Sequence, residues 1–169
     1  MSRTMKGPMR CGEVRVFVSY SHVDTVWMQR LTPLLKGIRG AHVRAWTDKD
    51  IRPGEPWDKE IKDALEAMDV FIALVSVSFG TSDYIRRVEL PRAKARLSAK
   101  EIHVLPVYLG APSDGDCKWL MKLERVPGEK SWAEMRASFP DYDHALKPIR
   151  DGIKSVVERA RARKRGIRP

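Results

Sequence analysis

The sequence has no apolar run longer than the six residues Val70 to Val75. A membrane-spanning helix needs about twenty, so no span and no membrane partner are expected. The basic residues near the N-terminus are not followed by an apolar stretch, which excludes a secretory signal there. Cysteine is scarce: Cys11 and Cys117 form no Cys-x-x-Cys pair and read as two reduced thiols. A cytoplasmic location is expected on both grounds. The four histidines (His22, His42, His103, His144) do not fall beside the cysteines at zinc-ligand spacing, and no metal site is expected. Neither Gly-x-x-x-x-Gly-Lys nor Gly-x-Gly-x-x-Gly occurs, so no glycine-rich phosphate cradle is readable. Internal repeats are missing as well.

What is present is a 169-residue chain, 43% hydrophobic, enough for one domain with a real core. Its net charge of +10 invites a nucleic-acid partner, but the charge is unevenly placed. Residues 1–10 carry Arg3, Lys6 and Arg10 without an acid. Residues 159–169 carry Arg159, Arg161, Arg163, Lys164, Arg165 and Arg168 without an acid. Setting those nine aside leaves 23 basic and 22 acidic residues in 11–158, a nearly neutral body. The expected organisation is a basic N-terminal tail over 1–12, one domain over 13–158, and a basic C-terminal tail or linker over 159–169. Nucleic acid would be bound only through that tail, in a salt-sensitive way.

Residues 14–20 (VRVFVSY) are β-branched and aromatic and read as a strand. Asp24 is placed to cap a helix whose apolar positions Trp27, Leu31, Leu34, Leu35 and Ile38 recur at helical spacing. Pro33 lies inside that pattern and should kink or split it. A short strand over 42–46 and a charged Pro/Gly loop over 47–56 precede a second amphipathic helix, carrying Trp57, Ile61, Leu65 and Met68. Residues 70–75 suit a central strand covered on both faces. After the polar stretch Ser76–Asp83, Pro91 predicts a break near Glu89–Pro91, with the main helix beginning there. Residues 102–108 give a fourth strand. Between 110 and 140 the pattern is irregular, with a short helix near Trp119–Leu123 and a short edge strand near Ser131–Met135. A last helix runs from about Tyr142 to Ala162. Strands alternating with helices predict a single flavodoxin-like α/β domain: a parallel sheet of four to five strands with helices on both faces. In such sheets ligands bind outside the carboxyl ends of strands one and three, here Ser19-Tyr20-Ser21 and Ser76-Val77-Ser78. Polar loops occur there in any case, so position alone does not separate a site from a surface.

Four ordered segments carry a family likeness. Phe17-Val18-Ser19-Tyr20-Ser21 with Asp24 and Trp27 resembles the first box of a Toll/interleukin-receptor (TIR) domain of bacterial type. Trp46, Asp48, Ile51-Arg52-Pro53-Gly54 and Trp57 resemble its second strand and the loop that follows. Ser82-Asp83-Tyr84 with Glu89-Leu90 resembles its Ser-x-Tyr…Glu-Leu segment, and His103–Val107 its fourth strand. The likeness covers roughly residues 14–110. It departs from the family at Pro33, at Pro91 and in lacking a Phe-Trp third box.

The resemblance implies cleavage of the nicotinamide–ribose bond of NAD+, as hydrolase or cyclase, with NAD+ as substrate and no separate cofactor. Glu89 maps onto the family's catalytic glutamate. Phe17, Ser19, Tyr20, Asp48, Arg52, Trp57, Ser82 and Tyr84 map around the substrate. By the same resemblance the domain self-associates to become active, works with a sensor domain or partner protein, and serves anti-phage defence or cell suicide. A non-enzymatic TIR–TIR adaptor or virulence module is the alternative. Read without the family, Glu89 is an acid at a helix start, where carboxylates are favoured anyway.

Overall fold

The computed structural model describes residues 12–47, 57–110, 115–138 and 143–166. Strand β1 (Val14–Tyr20) lies at the centre, paired in parallel with β2 (Ala41–Thr47) on one side and β3 (Val70–Val75) on the other. Strand β4 (His103–Tyr108) pairs in parallel with β3, giving the order β2-β1-β3-β4. Beyond β4 there is a single parallel bridge from Val107 to Val126, so the upper end of the four to five strands expected is reached only as one bridge.

The period-2 alternation of β1 divides the core. Val14, Val16, Val18 and Tyr20 face α1 (Thr25–Lys36) and α6 (Leu146–Lys164). Phe17, with Phe71, Ala73 and Val75 of β3, faces α2 (Trp57–Ala67) and α4 (Leu90–Ser98). Helices therefore cover both faces, and β3 is buried along its whole length, as its unbroken apolar run requires. A short helix α3 (Val77–Thr81) follows β3 and is capped by Ser76, whose hydroxyl accepts from the Phe79 amide at 3.0 Å.

Four local expectations are revised. Helix α1 runs unbroken through Pro33: Leu31 and Leu35 on either side are both seated in the core, and that anchoring outweighs the lost hydrogen bond. Asp24 precedes α1 without capping it. Residues 131–138 form no edge strand but a Ser131 cap and helix α5 (Trp132–Ser138). The cause is a capping box: the Glu134 amide donates to Ser131 Oγ at 3.1 Å, while the Ser131 amide donates back to Glu134 Oε2 at 2.7 Å. Trp132 then enters the core against Trp27, its indole N–H donating to Asp143 at 2.8 Å. Replacing Ser131 by alanine should cost about 1 kcal/mol, read as a lower urea midpoint with an unchanged m-value.

The fourth revision concerns the basic end. Helix α6 ends at Lys164, two residues past the expected Ala162, so residues 159–164 of the basic segment are helical. Ala160 is buried, and the cations reach carbonyls at the amino end of the sheet. Arg161 donates to Gly12 O (3.3 Å) and to Arg39 O, and Arg163 to Lys100 O (3.3 Å). Lys164 donates to Glu13 O at 2.9 Å and to the Asp69 carboxylate at 2.6 Å. That carboxylate also accepts from the Arg15 amide at 2.8 Å. Residues 1–11 and 167–169 lie outside the described residues.

Candidate active site

The carboxyl ends of β1 and β3 bring buried polar groups together. Ser19 is the sixth residue of β1, beside Ala73 of β3, on the sheet face that carries α4. Glu89 approaches from the other side. It ends a π-helical turn, Ile85–Glu89, in which the Leu90 amide reaches back five residues to Ile85 O. Pro91 has no N–H to give the carbonyl four residues before it, so a widened turn ahead of α4 suits the sequence, and the break expected near Glu89–Pro91 takes this form. The turn directs Glu89 inward, where it is 3% exposed.

Ser19, fully buried, donates its hydroxyl to Glu89 Oε2. A buried carboxylate is costly unless hydrogen-bonded, and this bond both offsets part of that cost and orients the group. A second pair ties the strand ends: the Ser76 hydroxyl donates to Asp24 Oδ2 at 2.6 Å. Asp24 and Ser21 are buried just beyond the end of β1. Their polarity at the strand ends was readable; that Ser76 and Asp24 meet across fifty-two residues was not.

The remaining expected site residues are spread out. Phe17 is core, stacked on Phe71 with ring centroids 5.7 Å apart. Tyr20, though next to Ser19 in sequence, belongs to the opposite face with α1 and α6. Ser82 ends α3, and its carbonyl accepts from the Arg86 amide at 3.0 Å, starting the turn that bears Glu89. Tyr84 is half-buried and packs on the α2–α4 side of the core. Asp48 and Arg52 lie outside the described residues. Of Trp57 only the backbone, opening α2, is described. Cys117 is buried, and desolvation, with Asp116 beside it, pushes its thiol pKa up, which leaves it a poor nucleophile. No helix among the described residues is long and apolar enough to cross a membrane.

The arrangement is a buried carboxylate, Glu89, oriented by Ser19 at the carboxyl end of a parallel sheet, at the β1/β3 switch point, with the Asp24–Ser76 pair also beyond the ends of those two strands. An uncharacterized protein of Sinorhizobium fredii, y4lF, is 30% identical over 149 residues, covering 85% of this chain. The chain spans only 44% of that protein's length. Among solved structures, the TIR domains of the activated Roq1 resistosome, which directly recognizes the pathogen effector XopQ, superpose with a TM-score of 0.47 at 16% identity. That overlap covers 86% of this chain and 84% of the other. Residues 16–149, from β1 into α6 and including Ser19 and Glu89, match the profile of the TIR domain, and the chain belongs to that family.

Proposed function

We propose that the chain cleaves the nicotinamide–ribose bond of NAD+, with Glu89 as the catalytic carboxylate. The observation that carries this reading is the buried Glu89 at the switch point, held by the Ser19 hydroxyl. Breaking the bond leaves positive charge on the ribose, an oxocarbenium-like transition state, and expels nicotinamide as a neutral molecule. No acid is needed for the leaving group, unlike ordinary glycoside hydrolysis. One carboxylate facing C1′ of the ribose stabilises the developing charge. Water then adds at C1′ and loses a proton, giving ADP-ribose; in the cyclase variant a ring nitrogen of the same molecule's adenine takes the place of water.

A carboxylate as buried as Glu89 meets substrate only after the surroundings rearrange. This supports a site switched on by self-association, with NAD+ turnover rising faster than in proportion to protein concentration. We place the protein in the cytoplasm, acting with a sensor domain or partner in defence or cell-suicide signalling. The test is fluorescence from an etheno-NAD analogue over a protein concentration series with and without crowding agent. Strict proportionality between rate and concentration would remove the assembly step from the account.

Ser19 acts through Glu89 and is a positioning residue. Ser19→Ala should lower kcat roughly ten- to a hundredfold, since it removes one charge-assisted hydrogen bond of roughly 1.5–3 kcal/mol, and leave KM near its original value. Ser19→Thr, which keeps the hydroxyl, should recover part of the rate.

A further inference from the structure

Asp24 stands directly before α1, where an acid ordinarily caps the helix, and gives no cap there. Its amide donates to Ser21 O at 2.8 Å, which fixes it just beyond β1. Its buried carboxylate turns instead to the end of β3, where it accepts from the Ser76 hydroxyl. The residue thus serves a contact between two strand ends rather than its own helix.

From Ser76 the hydrogen bonds run on to the turn that bears Glu89. A hydroxyl has one proton to donate, and giving it to Asp24 leaves the lone pairs of Ser76 Oγ for the Phe79 amide at 3.0 Å. An anionic acceptor on that proton also strengthens the oxygen as an acceptor. Phe79 O accepts from the Ser82 amide at 3.4 Å, and Ser82 O from the Arg86 amide at 3.0 Å. Arg86 is the second residue of the π-helical turn, which closes from the Leu90 amide to Ile85 O. Packing follows the same path. Phe79 is fully buried in the cluster that holds Ile85 and Leu90, and α3 lies beside the turn.

Glu89 is therefore fixed from two directions, and both start at the carboxyl end of β1. Ser19 holds its carboxylate. The line from Asp24 through Ser76 and α3 holds the backbone that carries it. We propose that Asp24 is a second positioning residue for Glu89, acting through Ser76 and α3. The proposal rests on the reading of Glu89 as the catalytic carboxylate. A pre-placed group that shifts by about 1 Å can lose roughly a hundredfold in rate, and here the loss is one of several restraints.

The test pairs kinetics with 13C NMR of the full chain labelled at the glutamate side-chain carboxyl carbon. Asp24→Ala and Ser76→Ala should each lower kcat about tenfold, with KM changed less than twofold. The double variant should be no slower than the slower single one, because both changes break the same bond. Ser76→Thr, which keeps the hydroxyl, should recover most of the rate. The Glu89 carboxyl signal, assigned by its loss in Glu89→Gln, should move in both alanine variants while that of Glu134 on α5 stays. Should an alanine variant not fold, Asp24→Asn, which keeps the size and a carbonyl acceptor, should give the same changes at smaller size. A role confined to capping α3 predicts a lower melting temperature with kcat and the Glu89 signal unchanged. That result, or multiplied losses in the double variant, would overturn the inference. If the original protein releases no nicotinamide, the catalytic reading falls by itself, and the Glu89 signal alone decides whether Asp24 holds this side chain in place.

Discussion

Glu89→Gln should reduce NAD+ cleavage at least a thousandfold, with circular dichroism and melting temperature close to those of the original protein. The change keeps the shape of the side chain and its capacity to accept from Ser19, and removes the negative charge. A pre-placed group facing developing charge is worth roughly a hundred- to thousandfold in rate when one neutral donor is lost, and a full charge in a buried site is worth more. Stability should hardly suffer, because burying a neutral amide costs less than burying a carboxylate. That combination, rate lost and fold kept, separates a catalytic Glu89 from one that merely favours the start of α4. A helix-start role predicts the reverse: a few tenths of a kcal/mol in stability and unchanged turnover. Turnover by Glu89→Gln equal to that of the original protein would therefore remove Glu89 from the chemistry, whereas no turnover by the original protein in any assembled state would move the chain to the non-enzymatic adaptor reading.

Truncation after Glu158 should lower the melting temperature by roughly 10 °C, taking about 2–4 °C per kcal/mol for a chain of this size. The loss has four parts: the buried Ala160, the Arg161 hydrogen bonds to Gly12 and Arg39, Arg163 on Lys100 O and 3.9 Å from the Asp69 carboxylate, and Lys164 on Asp69. The last weighs most. The Asp69 side chain is only 11% exposed, and stripping a buried charge of its partner costs about 3–5 kcal/mol. Asp69 keeps the Arg15 amide after truncation, which places the loss at the lower end of that range. Lys164→Met, which retains the length and apolar stem of the side chain, should reproduce more than half of the effect. A solvated tail predicts no change for either protein, so differential scanning calorimetry on the pair decides the matter.

The difference between those two pictures of the basic end marks where sequence stops being informative. Six cations without an acid look the same whether they face water or a row of carbonyls. Four of the acceptors are backbone oxygens of Gly12, Arg39, Lys100 and Glu13, which no side-chain pattern reveals, and the fifth, the Asp69 carboxylate, lies ninety-five residues from Lys164. Strands β1 and β3, by contrast, were legible to within a residue, because continuous β-branched and aromatic runs have few other uses. Helix α5 was misread although its signal was present: Ser131-Trp-Ala-Glu134 is a capping box, and the irregular surroundings hid it. In the site, Glu89 and Ser19 were named from ordered family segments. That they bond each other across seventy residues is a product of the π-helical turn, which Pro91 announces as a break but does not direct. Phe17 and Tyr20 show the opposite limit. Adjacent to Ser19 or two residues from it, they fill two different halves of the core, as the strand period dictates.

The central claim is bond cleavage, and direct product measurement tests it best. Purified protein at high concentration with crowding agent is incubated with NAD+, and the mixture is resolved by chromatography with mass detection. The account predicts nicotinamide released in equal amount to the NAD+ consumed, matched by ADP-ribose or a cyclic form of it. NAD+ left intact across the whole concentration range, in protein shown by light scattering to be assembled, would contradict it.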